Sequence, residues 1–354
     1  MKPKSRRSAT YQAGFTLVEL MVGLGIGMLA TVIIIQVMSV FEAQRRTTTG
    51  SADAQTNGGI ALYNIARELQ MAGYPLVPVT ASPLECTAVT FGATGKTGIS
   101  PVTIANDVVG VGANASPSDT ITIRYGNAPM GGIPTQITAM GAPTANDATV
   151  LTNLGCQAGD NTLITNGTTC AMSSATALAG TTTITLANTT AAAVGANLAC
   201  LGTWNEITYR VNNGNLERNG VPSVAGIVNL QVQYGISAAG LINSDPNFNF
   251  ITQWVDASGG TWGAPTVADR NRIKGIRIAV VARNAKMEPG VVTAACSSTI
   301  AAAPTGLCAW AGSVASPAPA IDLSAGDPDW TRYRFRVFAT IIPLRNMVWS
   351  KDTL

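Results

Sequence analysis

The sequence predicts an α+β protein in which one long N-terminal helix packs against an antiparallel β-sheet, with a loop-rich, disulfide-containing insertion. Three observations predict this fold class. An apolar, helix-compatible run occupies the N-terminal part, segments of alternating polar and apolar residues recur in the C-terminal part, and a Gly-, Thr- and Ala-rich region of low charge lies between them. A helix laid over one face of a sheet buries the apolar side of both elements.

The first element is an apolar run long enough to cross a bilayer. Residues 20–40 contain only three polar residues and no charge. As a helix they span about 31 Å, which is close to the roughly 30 Å of a bilayer core. Four basic residues and no acid stand in residues 1–14. This asymmetry predicts that the N-terminus stays in the cytoplasm and that the rest of the chain is exported.

One carboxylate, Glu19, stands at the start of the apolar run. A charge at the centre of a membrane span costs about 3 kcal/mol on insertion scales, so this acid must lie near the headgroups or be neutralised. A cleaved secretory signal has a shorter apolar core, of about 7–15 residues, and a plain membrane anchor does not explain the acid. The segment GFTLVEL, from Gly14 to Leu20, instead resembles the processing site of type IV prepilins, with its basic leader that ends in Gly.

The prepilin resemblance implies roles for three residues. A prepilin peptidase cuts after Gly14, Phe15 becomes the N-methylated first residue, and Glu19 is the acid at the fifth mature position. The new amine is charged near neutral pH, and Glu19 of one subunit can pair with the Phe15 amine of a neighbour at one axial stagger. Glu19 is therefore expected to set the register of assembly. The alternative is that its side chain only extends to the headgroups.

The helix is expected to run from Phe15 to about Ala72, with its membrane-spanning part at about residues 20–40. Apolar residues at helical spacing, Leu62, Ile65 and Leu69, continue the pattern beyond the membrane. A Gly-x-Pro sequence then favours a helix end. We expect this stripe to pack on the chain's own β-sheet.

The remaining chain divides into two regions. Residues 73–203 are expected to form a loop-rich variable region with short strands at 119–126 and 181–188, and residues 204–354 a C-terminal antiparallel sheet region. One sheet is expected from four alternating segments and a hairpin at the sequence NNGN; the segments are residues 204–211, 228–235, 273–283 and 331–342. In the second segment, the pattern predicts inward positions for Val228, Leu230, Val232 and Tyr234, and outward positions for Asn229, Gln231 and Gln233.

The cysteine count is even, which in an exported chain predicts up to three disulfides. The six candidates are Cys86, Cys156, Cys170, Cys200, Cys296 and Cys308. Fifteen pairings are open, and a state with one reduced pair is an alternative. Short sequence separations favour Cys156–Cys170 and Cys296–Cys308, which leaves Cys86–Cys200.

The composition argues against catalysis and cofactor binding. The chain contains no histidine, so the commonest general base and the commonest metal ligand are missing, and no nucleotide-binding, hydrolase or metalloprotease motif is present. Arg332, Arg334 and Arg336 alternate on one predicted strand, and they fit either a solvated face or a contact with an acidic subunit or a phosphate backbone. Without interleaved exposed aromatic residues they do not support nucleic-acid binding.

Several segments together resemble the PilW family of type IV pilus minor pilins; they read ALYNIARELQMAGYP, SDTITIRYG, LERNG, VNLQVQYGI, IRIAVVARN and YRFRVFATIIPLRN. The resemblance implies a pilin-like fold and a single-pass protein of the bacterial inner membrane with a periplasmic head. It also implies co-assembly with other minor pilins and the major pilin on the assembly platform, to prime or cap a pilus that serves twitching motility and cell adhesion. Three alternatives stay open: a minor pseudopilin of a type II secretion system, a tip adhesin or DNA-binding pilin that uses residues 81–200, and a membrane-anchored enzyme.

Overall fold

The computed structural model describes residues 14–76, 86, 88–108, 116–142, 145–167, 169–241 and 245–348. The basic residues of the leader lie outside the described residues. The chain forms two compact units, Met1–Gly50 and Ser51–Leu354. The long helix α1 (Leu17–Met71) contributes residues to both units, and the predicted helix is therefore confirmed.

Three sheets make up the β structure of the second unit. The first contains β1 (Ala88–Thr90), β4 (Thr135–Met140), β5 (Asp147–Val150), β6 (Asn161–Asn166), β7 (Thr169–Ala179), β8 (Thr183–Leu186) and β9 (Asn197–Gly202). The second contains β2 (Val102–Val108), β3 (Ser118–Tyr125), β10 (Asn205–Asn212), β11 (Asn215–Arg218) and β12 (Val221–Ala225). The third contains β13 (Ile227–Ile236), β14 (Gln253–Asp256), β15 (Ile273–Met287) and β16 (Tyr333–Pro343). Short helices α2 (Gly259–Trp262), α3 (Val267–Asn271) and α4 (Arg345–Val348) complete the unit.

In the region predicted to be loop-rich, the described residues form nine strands, which is much more β structure than the two short strands that were predicted. Strands β7, β6, β9, β4, β5 and β8 pair in this order, and β8 pairs again with β7, which closes an antiparallel, barrel-like sheet. Its interior is filled by small and branched side chains such as Ile137, Ile164 and Leu198. The strands are short and rich in Thr and Ala, so their apolar alternation is weak in sequence. The two strands that were predicted here, within 119–126 and 181–188, are present as β3 and β8.

The C-terminal segments belong to two sheets and not to one. The NNGN hairpin is confirmed, because Asn212 pairs with Asn215 across Asn213 and Gly214, both of which have positive φ. However, β10 pairs with β3 in the second sheet, whereas β13, β15 and β16 form the third. Alternation predicts which residues are buried but does not identify the neighbouring strand, which explains the error.

The helical stripe packs on the chain's own sheets, as predicted. Ala61, Ile65 and Leu69 are fully buried against residues of the second and third sheets, and Leu62 is partly buried beside them. Burial of this stripe therefore attaches the second half of α1 to the β structure of its unit.

A glycine on α1 allows close packing against strand β16. A Cβ atom at Gly58 would overlap the ring of Phe338, whereas one at Gly59 would meet no described atom within 4 Å. Alanine normally stabilises a helix interior by up to about 1 kcal/mol relative to glycine. We therefore expect Gly59→Ala to stabilise the protein by about that amount, and Gly58→Ala to destabilise it by about 1–3 kcal/mol through overpacking. Thermal unfolding of the two variants tests this, and equal shifts of the same sign would contradict it.

The polar face of β13 is buried, contrary to the expectation that it points outward. Asn229, Gln231 and Gln233 are almost fully buried, and the Gln233 Nε2 donates to the Pro317 carbonyl at 2.8 Å and to Asp256. The segment that precedes β16 covers this face with an apolar cluster that includes Trp310. Val228 also packs against this cluster, because a register shift between Ile227 and Asn229 changes the alternation there.

The cysteines pair as Cys86–Cys170, Cys156–Cys200 and Cys296–Cys308. The expected local bond Cys296–Cys308 is present, whereas Cys156–Cys170 and Cys86–Cys200 are wrong. The first sheet explains this pairing. Cys170 lies on β7 and Cys200 on β9, and β6 separates these two strands. Successive residues of a strand point to opposite faces of the sheet. Cys170 lies in the cluster that contains Cys86, and Cys200 in the cluster that contains Cys156.

A buried polar link joins the second and third sheets. The Ser118 Oγ accepts the Leu230 N–H and donates to the Leu230 carbonyl. The carboxylate of Asp119 accepts the Val232 N–H at 2.6 Å and the Asp107 N–H at 2.9 Å. Burial raises the pKa of the Asp119 carboxyl to about 7, although the two hydrogen bonds lower it.

The raised pKa of Asp119 predicts a pH-dependent stability. The unfolded carboxyl ionises near pH 4, so between about pH 4 and pH 7 the native chain holds more protons at this site than the unfolded chain. The free energy of unfolding should therefore fall as pH rises through this window, by at most about 1.4 kcal/mol per pH unit. Thermal unfolding of Asp119→Asn at pH 5 and pH 7.5 should show a reduced slope, with Ser118→Ala as the control. An unchanged slope in Asp119→Asn would argue against this assignment.

Candidate assembly site

The first half of α1 is an apolar helix whose side chains have no packing partners among the described residues of their unit. Its large apolar side chains, from Leu17 to Phe41, are about half to three-quarters exposed. The helix is long and apolar enough to cross a membrane, with a mean hydropathy of 2.3 over its most apolar window. Exposed apolar area of this size requires lipid or other helices around it.

The two hydroxyl groups inside this span are satisfied by the helix itself. The Thr31 Oγ1 donates to the Gly27 carbonyl at 2.5 Å, and the Ser39 Oγ donates to the Gln36 carbonyl at 2.7 Å. Such bonds remove the cost of an unpaired hydroxyl in lipid. No described atom lies within 4 Å of a Cβ position at Gly23 or Gly27. This small-residue face is therefore open to a close helix neighbour.

The start of the helix is closed by a capping box formed by Thr16 and Glu19. The Glu19 Oε2 accepts the Thr16 N–H and the Thr16 hydroxyl, both at 2.9 Å, and the Glu19 N–H donates back to the Thr16 Oγ1 at 3.2 Å. These reciprocal bonds satisfy donors that a helix N-terminus otherwise leaves unpaired. The T-x-x-E spacing is the known sequence signature of this role, which was not among the predictions made for Glu19.

The capping box leaves part of the Glu19 carboxylate available. Both bonds that Glu19 accepts are made to Oε2, and Oε1 accepts none from the residues that the structure describes. Phe15, directly before the capping residue, is 85% exposed. The single chain therefore presents a free carboxylate oxygen and an exposed Phe15 at the same helix end, while the helix end itself is already stabilised.

The three arginines predicted to share a strand face do not all lie on a strand. Arg332 ends a 3-10 turn before β16, where it lies 3.6 Å from an Asp329 oxygen. The Arg334 Nε donates to Glu288 at 3.1 Å, and Arg336 makes no ion pair or side-chain hydrogen bond in the part of the chain that the structure describes. Two guanidinium groups therefore stand on β16, and the described residues provide a counter-ion for only one of them.

Comparison with known proteins gives two matches. A model of the prokaryotic N-terminal methylation motif matches residues 10–35, which include Gly14, Phe15 and Glu19. A family model for type IV pilus-assembly protein W, PilW, matches residues 192–346, which extend from just before β9 into α4. No curated protein and no solved structure matches the chain.

The methylation motif and the long apolar helix define a type IV pilin-like, membrane-anchored pilus component with a mostly β C-terminal part. The match over residues 192–346, slightly less than half of the chain, shows that this part is similar to the PilW family of type IV pilus-assembly proteins.

Proposed function

We propose that this chain is a minor pilin that is cleaved after Gly14, methylated at Phe15 and assembled with other minor pilins to prime or cap a type IV pilus. The observation that carries the proposal is the arrangement at the helix start. A free Glu19 oxygen and an exposed Phe15 stand at the end of an apolar helix that no other described residue of its unit covers. This helix end requires an opposite charge and apolar neighbours, and an adjacent cleaved subunit supplies both.

Cleavage gives Phe15 a terminal ammonium group. In a bundle of such helices, the ammonium of one subunit and the Glu19 Oε1 of the next form a charge-assisted hydrogen bond. In apolar surroundings an unpaired charge is costly, so the bundle favours the one axial stagger at which both charges are paired. Glu19 thereby sets the register between subunits, and the open glycine face allows the helices to approach closely.

The proposal includes location and partners. The prepilin is held in the inner membrane by the first half of α1, with the β structure in the periplasm. Its partners are the prepilin peptidase, the assembly platform, other minor pilins and the major pilin. The large β unit supports a position at a pilus tip, because such a bulky unit would crowd a repeating shaft.

Deletion of the gene tests the proposal. We expect the deletion strain to lose piliation and twitching, and the full chain expressed in trans to restore both. Loss of enzyme secretion with normal piliation would instead identify a type II secretion pseudopilin, which shares the methylation motif. If both phenotypes were normal, the proposed role in priming or capping would be wrong.

A further inference from the structure

Strand β16 presents a long unpaired edge. It pairs with β15, and no strand of the described residues pairs with its other side. The Leu344 N–H donates to the Lys274 carbonyl. Because antiparallel pairing alternates, the even-numbered residues of β16 bond to β15 and the odd-numbered ones direct their backbone groups away from it. These outward residues are Phe335, Val337, Ala339 and Ile341. Their N–H and C=O groups have no hydrogen-bond partner among the described residues.

The other edges of the second and third sheets are protected in ways that β16 is not. Strand β12 contains Pro222, β14 has four residues, and β2 carries a register shift next to Asp107, whose φ is positive. These are the usual devices against edge-to-edge pairing. By contrast, β16 has 11 residues and a regular register opposite Gly275–Arg283, and its segment 337–342 contains no charge, proline or glycine.

The side chains on this edge favour an acidic partner strand. Arg334 is neutralised by Glu288, but Arg336 is exposed and has no ion pair within the described residues. Both arginines line a cavity of about 290 Å³ together with Ser51 and Thr293. An incoming strand with a carboxylate opposite Arg336 gains a cross-strand ion pair, and an apolar residue further along can cover Ile341, which is 50% exposed.

A second copy of this chain does not supply that strand. Two copies of β16 paired through their outward residues would place Arg336 opposite an even-numbered residue of β16, and none of these residues is acidic. Strand β12 carries no charge, and the Asp256 carboxylate of β14 already accepts a hydrogen bond from Gln233. The Asp107 carboxylate of β2 accepts one from Asn106 and lies at a register shift, where the strand edge is irregular. The complementary strand therefore belongs to a different protein.

We infer that the open edge of β16 receives a β-strand of another pilus subunit, with an Asp or Glu opposite Arg336 and an apolar residue opposite the Ile341 region. This inference rests on the proposed function, which supplies other pilus subunits as neighbours. The backbone bonds provide affinity, and the two side-chain positions provide selectivity.

Site-specific photo-crosslinking in pilus-producing cells tests the inference on the full chain. A photoreactive residue is placed at Ile341, at Val221 on the protected edge β12, or at Tyr63 on α1; Val221 and Tyr63 are each 65% exposed. We expect Ile341 to link to another pilus subunit, at a strand that carries an acid, and Val221 to give no such product. A missing product at Ile341, or a product only with a second copy of this chain, overturns the inference.

The position on α1 separates this inference from the proposed function. A product at Tyr63 with none at Ile341 removes the strand-docking inference and leaves the proposed co-assembly intact. If neither position links to a pilus subunit, both fail.

A proline variant tests whether backbone pairing is responsible. Ala339 directs its N–H away from β15, so Ala339→Pro removes an outward donor without removing a bond of the sheet. We expect at least a roughly tenfold loss of the Ile341 product, because main-chain hydrogen bonds supply the affinity of strand addition. Ala339→Ser is the matched control and should retain the product. Thermal unfolding checks that both variants are folded, and an unchanged product in folded Ala339→Pro overturns the inference.

Discussion

Replacement of Glu19 by glutamine is expected to reduce incorporation of the protein into pili by at least about tenfold, while membrane insertion stays normal. The ammonium at Phe15 of the adjacent subunit then lacks its counter-ion, and breaking a buried ion pair by removal of one partner costs about 3–5 kcal/mol. Quantitative immunoblots of sheared pili and of membranes measure the two fractions.

The choice of glutamine separates two roles of Glu19. Glutamine can replace glutamate in a capping box, so Glu19→Gln keeps the helix end closed and removes only the charge. Thr16→Ala does the opposite, because it removes the capping hydroxyl and retains the carboxylate. If capping were the only role, Thr16→Ala would be the defective variant and Glu19→Gln would assemble normally. We expect Glu19→Gln to be the more severely impaired variant.

The disulfide between Cys86 and Cys170 closes a long loop in the unfolded state. Its removal is therefore expected to destabilise the folded chain by about 4–5 kcal/mol. The two cysteines are 84 residues apart, and both are buried. The double variant Cys86→Ala, Cys170→Ala should therefore show a large decrease in the midpoint of denaturant unfolding, measured on the full chain in detergent.

The bond between Cys296 and Cys308 serves as the internal control. Its sequence separation is 12, so the same reasoning gives a smaller loss, of about 3 kcal/mol, for the double alanine variant. Peptide mapping without reduction should link Cys86 to Cys170 and Cys156 to Cys200. A peptide that joins Cys156 to Cys170 would contradict the observed pairing.

Features set by neighbouring residues could be predicted from the sequence. The helix, its apolar stripe at Ile65 and Leu69, and the hairpin at Asn213 and Gly214 all depend on local spacing and turn chemistry. The segment that matches the N-terminal methylation motif is also short. The capping box of Thr16 and Glu19 is equally local, and attention to the T-x-x-E spacing would have found it.

Features set by distant partners could not be predicted. The pairing of β10 with β3 depends on which strands meet in space, and so do the closure of the first sheet by β7 and β8 and the choice of Cys170 as the partner of Cys86. The burial of Gln231 and Gln233 depends on a covering segment that follows about 75 or more residues later in the chain. The alternating pattern of β13 reads the same whether its polar face meets water or buried hydrogen-bond partners.

The mature N-terminus tests the central claim most directly, since the register role of Glu19 requires a cation at Phe15. Mass spectrometry of the protein purified from pilus-producing bacteria should show a first peptide that begins at N-methylated Phe15. A first peptide that retains residues 1–14 in the assembled protein would mean that the cation never forms, and the proposed assembly mechanism would then be wrong.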